Sequence, residues 1–411
     1  MSRLKWLMIV ALLAFAGCKQ MAATREQPAP PQPIQISAPG VDSAEPATAA
    51  APDGTFYVAW VNHDAKQADV MLNRFNQKGE GQGSPVRVNR EPGVATAWRG
   101  DQPSVTVASD GAVYVLWTAR VDAGEKHGTD MYLSASTDRG QSFASEVKVN
   151  DDKAPGPHGM HSLAVAKDGR IYAGWLDERN VHVSKHSTKA EGHHMESNRD
   201  LYLAYSTDGG RTFSANRKVA SDACPCCKTA LAVSADGTLY AGWRQVLPGN
   251  FRHIAVASST DGGTKFTKPV IVSDDRWMLQ GCPVSGPSLW VDTASGSLKV
   301  VWYAAGEGGA PGVYVAESKD GGQSFSPRQL LSQETVRGTP ALAVGNGNLI
   351  ALWQSADALE TKMRDIGKAG SALSVAVKAE LPAGAFADSK LFVAYIATEK
   401  EKRSIWLLRA E

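Results

Sequence analysis

One pattern repeats along most of the chain and restricts its fold more than any other feature. An apolar run leads into a short turn, often Asp-Gly, and a second apolar run then ends in an aromatic residue. Asp-Gly between alternating apolar runs is a strong hairpin signal, because the turn needs positive φ at its central residues. The aromatic residues that end the seven copies are Trp60, Trp117, Trp175, Trp243, Trp302, Trp353 and Tyr395.

A second hairpin follows most copies of the first, so that each unit carries four short strands. Its instances include YLSASTDRGQSF, YLAYSTDGGRTF and YVAESKDGGQSF, and outer strands such as EVKVN and PVIVS come after it. Four antiparallel strands per repeat are typical of a β-propeller blade. We therefore predict an all-β propeller of four-stranded antiparallel blades, with seven blades favoured and six as the alternative.

The last unit shows only three strands, the third of which runs from Ser404 to Arg409. The N-terminal segment from Pro33 to Ser37 is similar to the outer strand PVIVS of another unit. We predict that this segment pairs as the missing fourth strand of the last blade. Such pairing removes an unpaired sheet edge and joins the two ends of the propeller.

The first 31 residues have the composition of a targeting segment. Arg3 and Lys5 precede an apolar run from Trp6 to Phe15, which is far shorter than the roughly 20 residues that span a bilayer. We expect a signal peptide over residues 1–17, a Pro-rich tether over 18–31 and the propeller over 32–411. No other apolar run in the sequence reaches spanning length.

The end of the apolar run resembles a bacterial lipoprotein signal, because Phe15-Ala16-Gly17 leads directly into Cys18. This resemblance implies that Cys18 is lipidated and that the protein is exported and anchored to a lipid bilayer. Lys19 follows the cysteine, which in that resemblance favours the outer membrane, with the propeller facing the periplasm or the cell surface. An ordinary secretory signal with an incidental cysteine is the alternative.

A second motif, Ser-x-Asp-x-Gly-x-Ser/Thr-Phe, marks the turn of the second hairpin. It occurs at Ser136–Phe143, Ser206–Phe213 and Ser318–Phe325, and a fourth copy at Ser259–Phe266 has Lys265 in place of the hydroxyl residue. We expect each aspartate to accept backbone N–H bonds across its turn, a structural role. These aspartates are Asp138, Asp208, Asp261 and Asp320.

The four copies resemble the Asp-box (BNR) repeats of the sialidase-like superfamily. The resemblance implies the propeller fold, and it implies that the Asp boxes lie on turns remote from a catalytic site. We expect function on the opposite face, which receives the loops that follow each tryptophan and the segments that lead into each inner strand.

Cysteine and histidine cluster in three of these leading segments. Cys224 and Cys282 occupy matching places, each followed by proline, and His158 aligns with Cys226. Soft ligands of this kind suit copper or zinc. The candidate metal ligands are Cys224, Cys226, Cys227, Cys282, His158 and His161.

Two other hypotheses compete with a metal site. An exported protein lies in an oxidising compartment, so a disulfide between Cys282 and either Cys224 or Cys226 is the alternative. A set of redox-active thiols is the third hypothesis.

The family resemblance also suggests an exo-glycosidase of sialidase type, in which arginines clamp a sugar carboxylate and Tyr and acidic residues act in catalysis. The Phe/Tyr-Arg-Ile-Pro segment of those enzymes is absent, so that no candidate matches the family motif by motif. The candidate catalytic residues are Arg99, Asp101, Asp177, Glu178, Arg244, Tyr303 and Arg337.

The charge balance excludes one class of partner. Lys and Arg number 43 against 42 Asp and Glu, so nothing in the net charge favours nucleic acid. We therefore predict a lipid-anchored envelope propeller that binds a ligand or a soft metal ion on its Cys/His/Arg loop face. An exo-glycosidase is the first alternative, and a protein-interaction scaffold is the second. A glycan or an envelope protein is the expected ligand.

Overall fold

The computed structural model describes residues 32–65, 67–97, 100–123, 126–153, 155–181, 198–279, 281, 283–345, 348–368 and 370–410. Within these ranges every regular element is a β-strand. The described part of the chain contains no helix that is long and apolar enough to cross a bilayer. The predicted signal peptide, Cys18 and the tether lie outside the described residues.

Antiparallel pairing arranges the strands in consecutive groups. After the short strand β1 (Ile34–Gln35), the first group is β2 (Asp42–Ala50), β3 (Phe56–Asp64), β4 (Gln67–Phe75) and β5 (Val86–Arg87). The second is β6 (Ala95–Thr96), β7 (Ser104–Val107), β8 (Val113–Ala123), β9 (Lys126–Ser136) and β10 (Val147–Lys148). The third is β11 (His158–Val165), β12 (Ile171–Asp177), β13 (Arg199–Ser206) and β14 (Arg217–Ala223).

The fourth group is β15 (Ala230–Val233), β16 (Leu239–Leu247), β17 (Phe251–Ser259) and β18 (Val270–Ile271). The fifth is β19 (Ser288–Val291), β20 (Leu298–Ala304), β21 (Gly312–Ser318) and β22 (Gln329–Gln333). The sixth is β23 (Val336–Gly345), β24 (Asn348–Ser355), β25 (Glu360–Asp365) and β26 (Leu373–Val377), and the seventh is β27 (Ala379–Ala387), β28 (Lys390–Glu399) and β29 (Lys402–Ala410).

The described strands thus fall into seven groups, which is the arrangement that a seven-bladed propeller requires. A single pairing, Ala223 with Gln245, joins the third and fourth groups into one sheet. The prediction of an all-β propeller built from four-stranded antiparallel sheets is confirmed.

The N-terminal strand completes the seventh group, as the sequence predicted. Strand β1 pairs antiparallel with β29, with Ile34 opposite Leu407. Ser37 extends this junction, because its hydroxyl accepts a hydrogen bond from the Ile405 N–H at 3.0 Å. A carboxylate–guanidinium pair between Asp42 and Arg403, at 2.6 Å, lies next to it.

Aromatic packing continues the core across the same junction. The Phe56 ring stacks on Phe75 within the first group and, at a centroid distance of 4.6 Å, on Phe392 of the seventh. One buried cluster therefore contains residues from both ends of the propeller. Similar apolar clusters lie between the other neighbouring groups, which buries the faces that single four-stranded sheets would expose.

The repeated tryptophans have a structural role, because all six are buried and lie in β3, β8, β12, β16, β20 and β24, the middle strands of their groups. Each indole N–H has a hydrogen-bond acceptor, as a buried polar group requires. The acceptors, in chain order, are the side chains of Asn62, Ser134, Asp177, Gln245, Asp275 and Glu334.

The Asp boxes also behave as the sequence predicted. In the copy at Asp208, the carboxylate accepts the backbone N–H groups of Arg211 and Thr212, each at 3.0 Å. The Thr212 hydroxyl donates to the same carboxylate, and these bonds lower the pKa of Asp208 to about 2. Asp138, Asp261 and Asp320 accept the equivalent backbone bonds.

We expect Ser37→Ala to weaken the junction between the two ends of the chain. The substitution leaves the buried Ile405 N–H without its Ser37 acceptor, which costs about 1–2 kcal/mol of unfolding free energy. Urea unfolding followed by tryptophan fluorescence measures this loss. The exposed Ser371→Ala is the matched control, and an equal effect of both substitutions would contradict the assigned role of Ser37.

Candidate functional site

The innermost strands of the seven groups surround a cavity of about 290 Å³, which we name the axial cavity. These strands are β2, β7, β11, β15, β19, β23 and β27. An innermost strand has a partner on one side only, so its other edge leaves backbone polar groups available to water or a ligand. The lining residues come from all seven groups: Pro46–Thr48, Gln102–Val105, Ser162, Leu163, Lys228–Leu231, Pro287–Leu289, Thr339–Leu342 and Pro382–Gly384.

Lys228 is the only charged residue among those that line the axial cavity. Its ammonium group donates to the Gln102 carbonyl oxygen at 2.7 Å and lies 3.7 Å from Asp101 Oδ1. Its side chain is 14% exposed, and burial lowers its pKa to about 8 despite the opposing charge of Asp101. The cavity thus holds one cation whose remaining hydrogen-bonding capacity is available to an anion.

His161 lies beside this lysine, between the second and third groups. Its Nδ1 lies 3.0 Å from the Ser104 hydroxyl, and its Nε2 lies 3.8 Å from Asp101 Oδ1. Burial, reinforced by the positive charge of Lys228, lowers the pKa of His161 to about 3. His161 is therefore neutral at physiological pH, and Asp101 is the carboxylate shared by both basic side chains.

The backbone of Gly159 passes close to the Asp101 carboxylate. A Cβ on Gly159 would lie only 2.7 Å from Asp101 Oδ2, so any larger residue at 159 would displace the carboxylate. The next residue, Met160, has a φ of 53° and forms part of a register shift between β11 and β12. This bulge directs the backbone carbonyl of Met160 to Thr229 of the fourth group, whose N–H donates to it at 2.9 Å.

His158 has the opposite electrostatic environment, although it lies only three residues before His161. Its Nδ1 donates to the Thr129 carbonyl, and its Nε2 lies 3.2 Å from Asp152 and 3.3 Å from Asp177. Burial opposes the charged form, but the two carboxylates outweigh it and raise the pKa of His158 to about 10. His158 is therefore a buried cation at the end of β11, and its side-chain partners are carboxylates.

The three neighbouring cysteines come together before β15. The Sγ atoms of Cys224, Cys226 and Cys227 all lie within 4.8 Å of one another, the one such group of candidate ligands among the described residues. Cys224 and Cys227 are free thiols, whereas Cys226 is disulfide-bonded. Cys282, its predicted partner, lies outside the described residues.

The candidate metal ligands therefore separate into distinct environments. The three cysteines form one buried cluster together with Met160. The contacts of the two histidine rings are different: His158 faces carboxylates, and His161 faces Ser104 and Asp101. Among the described residues, the candidate ligand atoms that lie close together are therefore the three cysteine sulfurs. The ring nitrogens of His158 and His161 do not belong to this group.

Two arginines border the cysteine cluster. Arg252 in β17 donates to Cys224 Sγ at 3.1 Å, and Arg244 in β16 is fully buried. Arg244 donates to the carbonyl oxygens of Ser285, Arg252 and Tyr303, and its guanidinium lies 4.8 Å from the centre of the Trp277 ring.

The remaining glycosidase candidates have other partners. Asp177 is buried and accepts bonds from the Trp175 indole and from Arg179, while Glu178 forms an ion pair with Arg199. Tyr303 is buried against Trp277, and burial raises its pKa. Arg337 is exposed on β23, and Arg99 lies outside the described residues. Among the described members of this set, only Asp101 contacts a residue that lines the axial cavity, namely Lys228.

Sequence reasoning did not find Lys228 or Arg252. The signal for Lys228 is its position directly before the inner strand of the fourth unit, where a side chain can enter the axial cavity. Arg252 gives no such signal, because its contact with Cys224 joins strand β17 to a segment 28 residues earlier.

A family model described as "BNR repeat-like domain" matches residues 54–275, more than half of the chain. No curated protein matches the sequence significantly.

Solved structures with a similar fold share little sequence with this chain. A PL25 ulvan lyase is 15% identical over 92% of this chain and 96% of its own, with a TM-score of 0.57. A protein of unknown function from Dyadobacter fermentans is 13% identical over 92% and 98%, with a TM-score of 0.51. An α-L-arabinanase from Penicillium chrysogenum is 13% identical over 75% and 93%, with a TM-score of 0.51.

We expect the two histidines to give opposite pH dependences of stability. The stabilising contribution of His158 is complete below pH 6.5 and is lost as the pH rises towards its folded-state pKa of about 10. His161 stays neutral in the folded protein, so the protein loses stability as the pH falls from 6.5 towards about 3.

Urea unfolding of wild type, His158→Gln and His161→Gln across this pH range tests both statements. The difference between wild type and His158→Gln, about 3 kcal/mol near neutral pH, should shrink in alkali. The difference for His161→Gln should change only in acid. If the difference in unfolding free energy between wild type and each variant did not change with pH, the assigned protonation states would be wrong.

Proposed function

We propose that this chain, which belongs to the BNR repeat-like domain family, is an exported β-propeller that binds an acidic saccharide in its axial cavity. The observation that carries this proposal is the position of Lys228 as the only charged residue of the cavity lining. Asp101 lies 3.7 Å from this ammonium, but the group is partly desolvated, and a partly desolvated ammonium attracts a carboxylate more strongly than an exposed one does because the protein screens the charge less than water.

The rest of the lining suits a sugar ring. Ser104, Ser162, Ser288 and Thr339 offer hydroxyl groups around the cavity, and the free edges of the inner strands add backbone donors and acceptors. The cavity volume of about 290 Å³ lies at the lower end of the range for small-molecule sites. Further support comes from two similar folds whose names denote action on polysaccharides, the ulvan lyase and the arabinanase.

Binding without hydrolysis is the activity that the geometry favours. Glycoside hydrolysis commonly needs two carboxyl groups on either side of the scissile bond, and sialidases use a Tyr nucleophile instead of one of them. The described lining of the axial cavity contains no tyrosine. Among the described residues that line the axial cavity there is no carboxylate. Asp101, which is outside this lining, lies 3.7 Å from the Lys228 ammonium and 3.8 Å from His161 Nε2. The exo-glycosidase alternative therefore receives less support than a binding function.

We expect Lys228→Gln to weaken the binding of glucuronic acid-terminated oligosaccharides at least about tenfold, because one charged hydrogen bond is lost. Lys228→Arg should retain part of the affinity. Wild-type affinity should also fall as the pH rises through about 8, where Lys228 loses its charge. Isothermal titration calorimetry measures all three effects.

Neutral, glucose-terminated oligosaccharides are the ligand control, and Lys167→Gln, an exposed lysine in the turn before β12, is the protein control. Unchanged affinity of Lys228→Gln, or equal binding of acidic and neutral sugars, would rule out the proposed site. Release of sugar from sialosides or from uronic acid glycosides would support the enzyme alternative instead.

We also propose that the protein is lipid-anchored through Cys18, with the propeller held near the outer membrane. Metabolic labelling with a fatty acid should mark the wild-type protein, and Cys18→Ser should abolish the label and release the propeller into the soluble fraction. Equal labelling of Cys18→Ser would contradict lipidation at this residue.

A further inference from the structure

A pair of thiols with C-x-x-C spacing lies beside the axial cavity and has no role in saccharide binding. Cys224 and Cys227 are separated by Pro225 and Cys226, and their Sγ atoms lie 3.3 Å apart. Each is 1% exposed. The sulfur of Cys226, which is already disulfide-bonded, lies within 4.8 Å of both. Three sulfurs are thus within reach of one another, two reduced and one oxidised.

The charges around the pair favour a thiolate on Cys224. Arg252 is only 3% exposed, and none of the described carboxylates forms an ion pair with it or with Arg244. The Arg252 Nε has no hydrogen-bond partner among the residues that the structure describes, and its terminal nitrogen donates to Cys224. A buried guanidinium needs an anionic partner, and the sulfur of Cys224 is the group that can supply the charge.

The two thiols are unequal for the same reason. The hydrogen bond from Cys227 and the charges of Arg252 and Arg244 lower the pKa of Cys224 against the effect of burial. Burial and the neighbouring Cys224 raise the pKa of Cys227 well above its ordinary value. Cys224, which accepts hydrogen bonds from both Arg252 and Cys227, is therefore the more nucleophilic thiol of the pair.

This environment suits redox chemistry better than metal coordination. A soft metal ion would add positive charge beside two buried guanidinium groups, which raises the electrostatic cost of binding. The bonded sulfur of Cys226 is a poorer ligand than a thiolate. An anion next to a disulfide, in contrast, is the arrangement that thiol–disulfide exchange requires.

We propose that Cys224 and Cys227 form a redox-active dithiol that exchanges with the disulfide of Cys226. In the first step, the Cys224 thiolate attacks the sulfur of Cys226, and the partner sulfur of that disulfide leaves as a thiolate. In the second step, Cys227 gives its proton to the leaving thiolate and attacks Cys224, which releases Cys226. One disulfide is broken and one is formed, so that no external electrons are needed.

A disulfide oxidant then restores the disulfide of Cys226, which leaves the protein two electrons more oxidised than at the start. It oxidises the two thiols that the exchange has released, and it is itself reduced to two thiols. The more exposed Cys226, at 5%, is nearer to solvent than either buried thiol. Oxidation can therefore enter at Cys226 and be stored between Cys224 and Cys227.

Equilibration of the protein in graded glutathione buffers at pH 7, followed by acid quenching, alkylation under denaturing conditions and peptide mass spectrometry, tests the proposal. We expect a peptide with a Cys224–Cys227 bridge to increase as the glutathione disulfide fraction rises. If both cysteines remain fully alkylated at the most oxidising ratio, the proposal is wrong.

Variants separate the roles of the two thiols and of the arginine. Cys227→Ser should trap Cys224 in a mixed disulfide, with glutathione or with Cys226, whereas Cys224→Ser should leave Cys227 reduced. Arg252→Gln should slow formation of the bridge about tenfold, because less thiolate is present. Arg252→Lys should restore much of the rate, and the exposed Arg217→Gln is the matched control.

Elemental analysis of the isolated protein distinguishes a redox-active dithiol from a metal site at the same cysteines. We expect less than one copper or zinc ion per protein molecule. A stoichiometric ion that disappears in both serine variants would overturn the redox assignment in favour of metal coordination.

Discussion

The structure depends on the pairing of its two ends. Strand β1 adds to β29, and the bond from Ile405 to Ser37 joins residues 368 positions apart in the chain. Each group of strands buries its faces only against its neighbours, so an open end would expose one apolar face of the first group and one of the seventh. The stack of Phe56 on Phe392 lies at this interface. The axial cavity, and with it Lys228, acquires its full set of walls only when this junction is made.

The fold was predictable because its signals are local and repeated. The Asp-Gly turns, the buried tryptophans and the Asp boxes each specify a hairpin within about 15 residues of sequence, and each is found where the repeat indicates. The closing strand was predictable for a related reason, since the last unit lacks a partner and the N-terminal segment has the pattern of an outer strand.

The site was less predictable because its contacts join different groups. His158 and His161 look equivalent in the sequence, yet the bulge at Met160 sends one towards two carboxylates and the other towards Ser104. Their pKa values therefore move in opposite directions, to about 10 and about 3. The pairing of Arg252 with Cys224 likewise depends on a contact between a strand and a leading segment, which no local pattern reveals.

The two sides of the axial cavity differ in charge, and this difference determines how a ligand would lie in it. Lys228 and the Asp101–His161 pair beside it belong to the second, third and fourth groups, whereas the fifth to seventh groups contribute proline, alanine, leucine, glycine, serine and threonine. An acidic group would therefore point towards the fourth group, and the less polar face of the sugar would pack against Pro287 and Pro382 on the other side. Asp101 itself is not among the residues that line the cavity, although it lies 3.7 Å from the Lys228 ammonium. The repeated strands form the walls of the cavity. The segments that lead into the inner strands of the second, third and fourth groups differ from the others, and they place the charged residues on one side of the cavity.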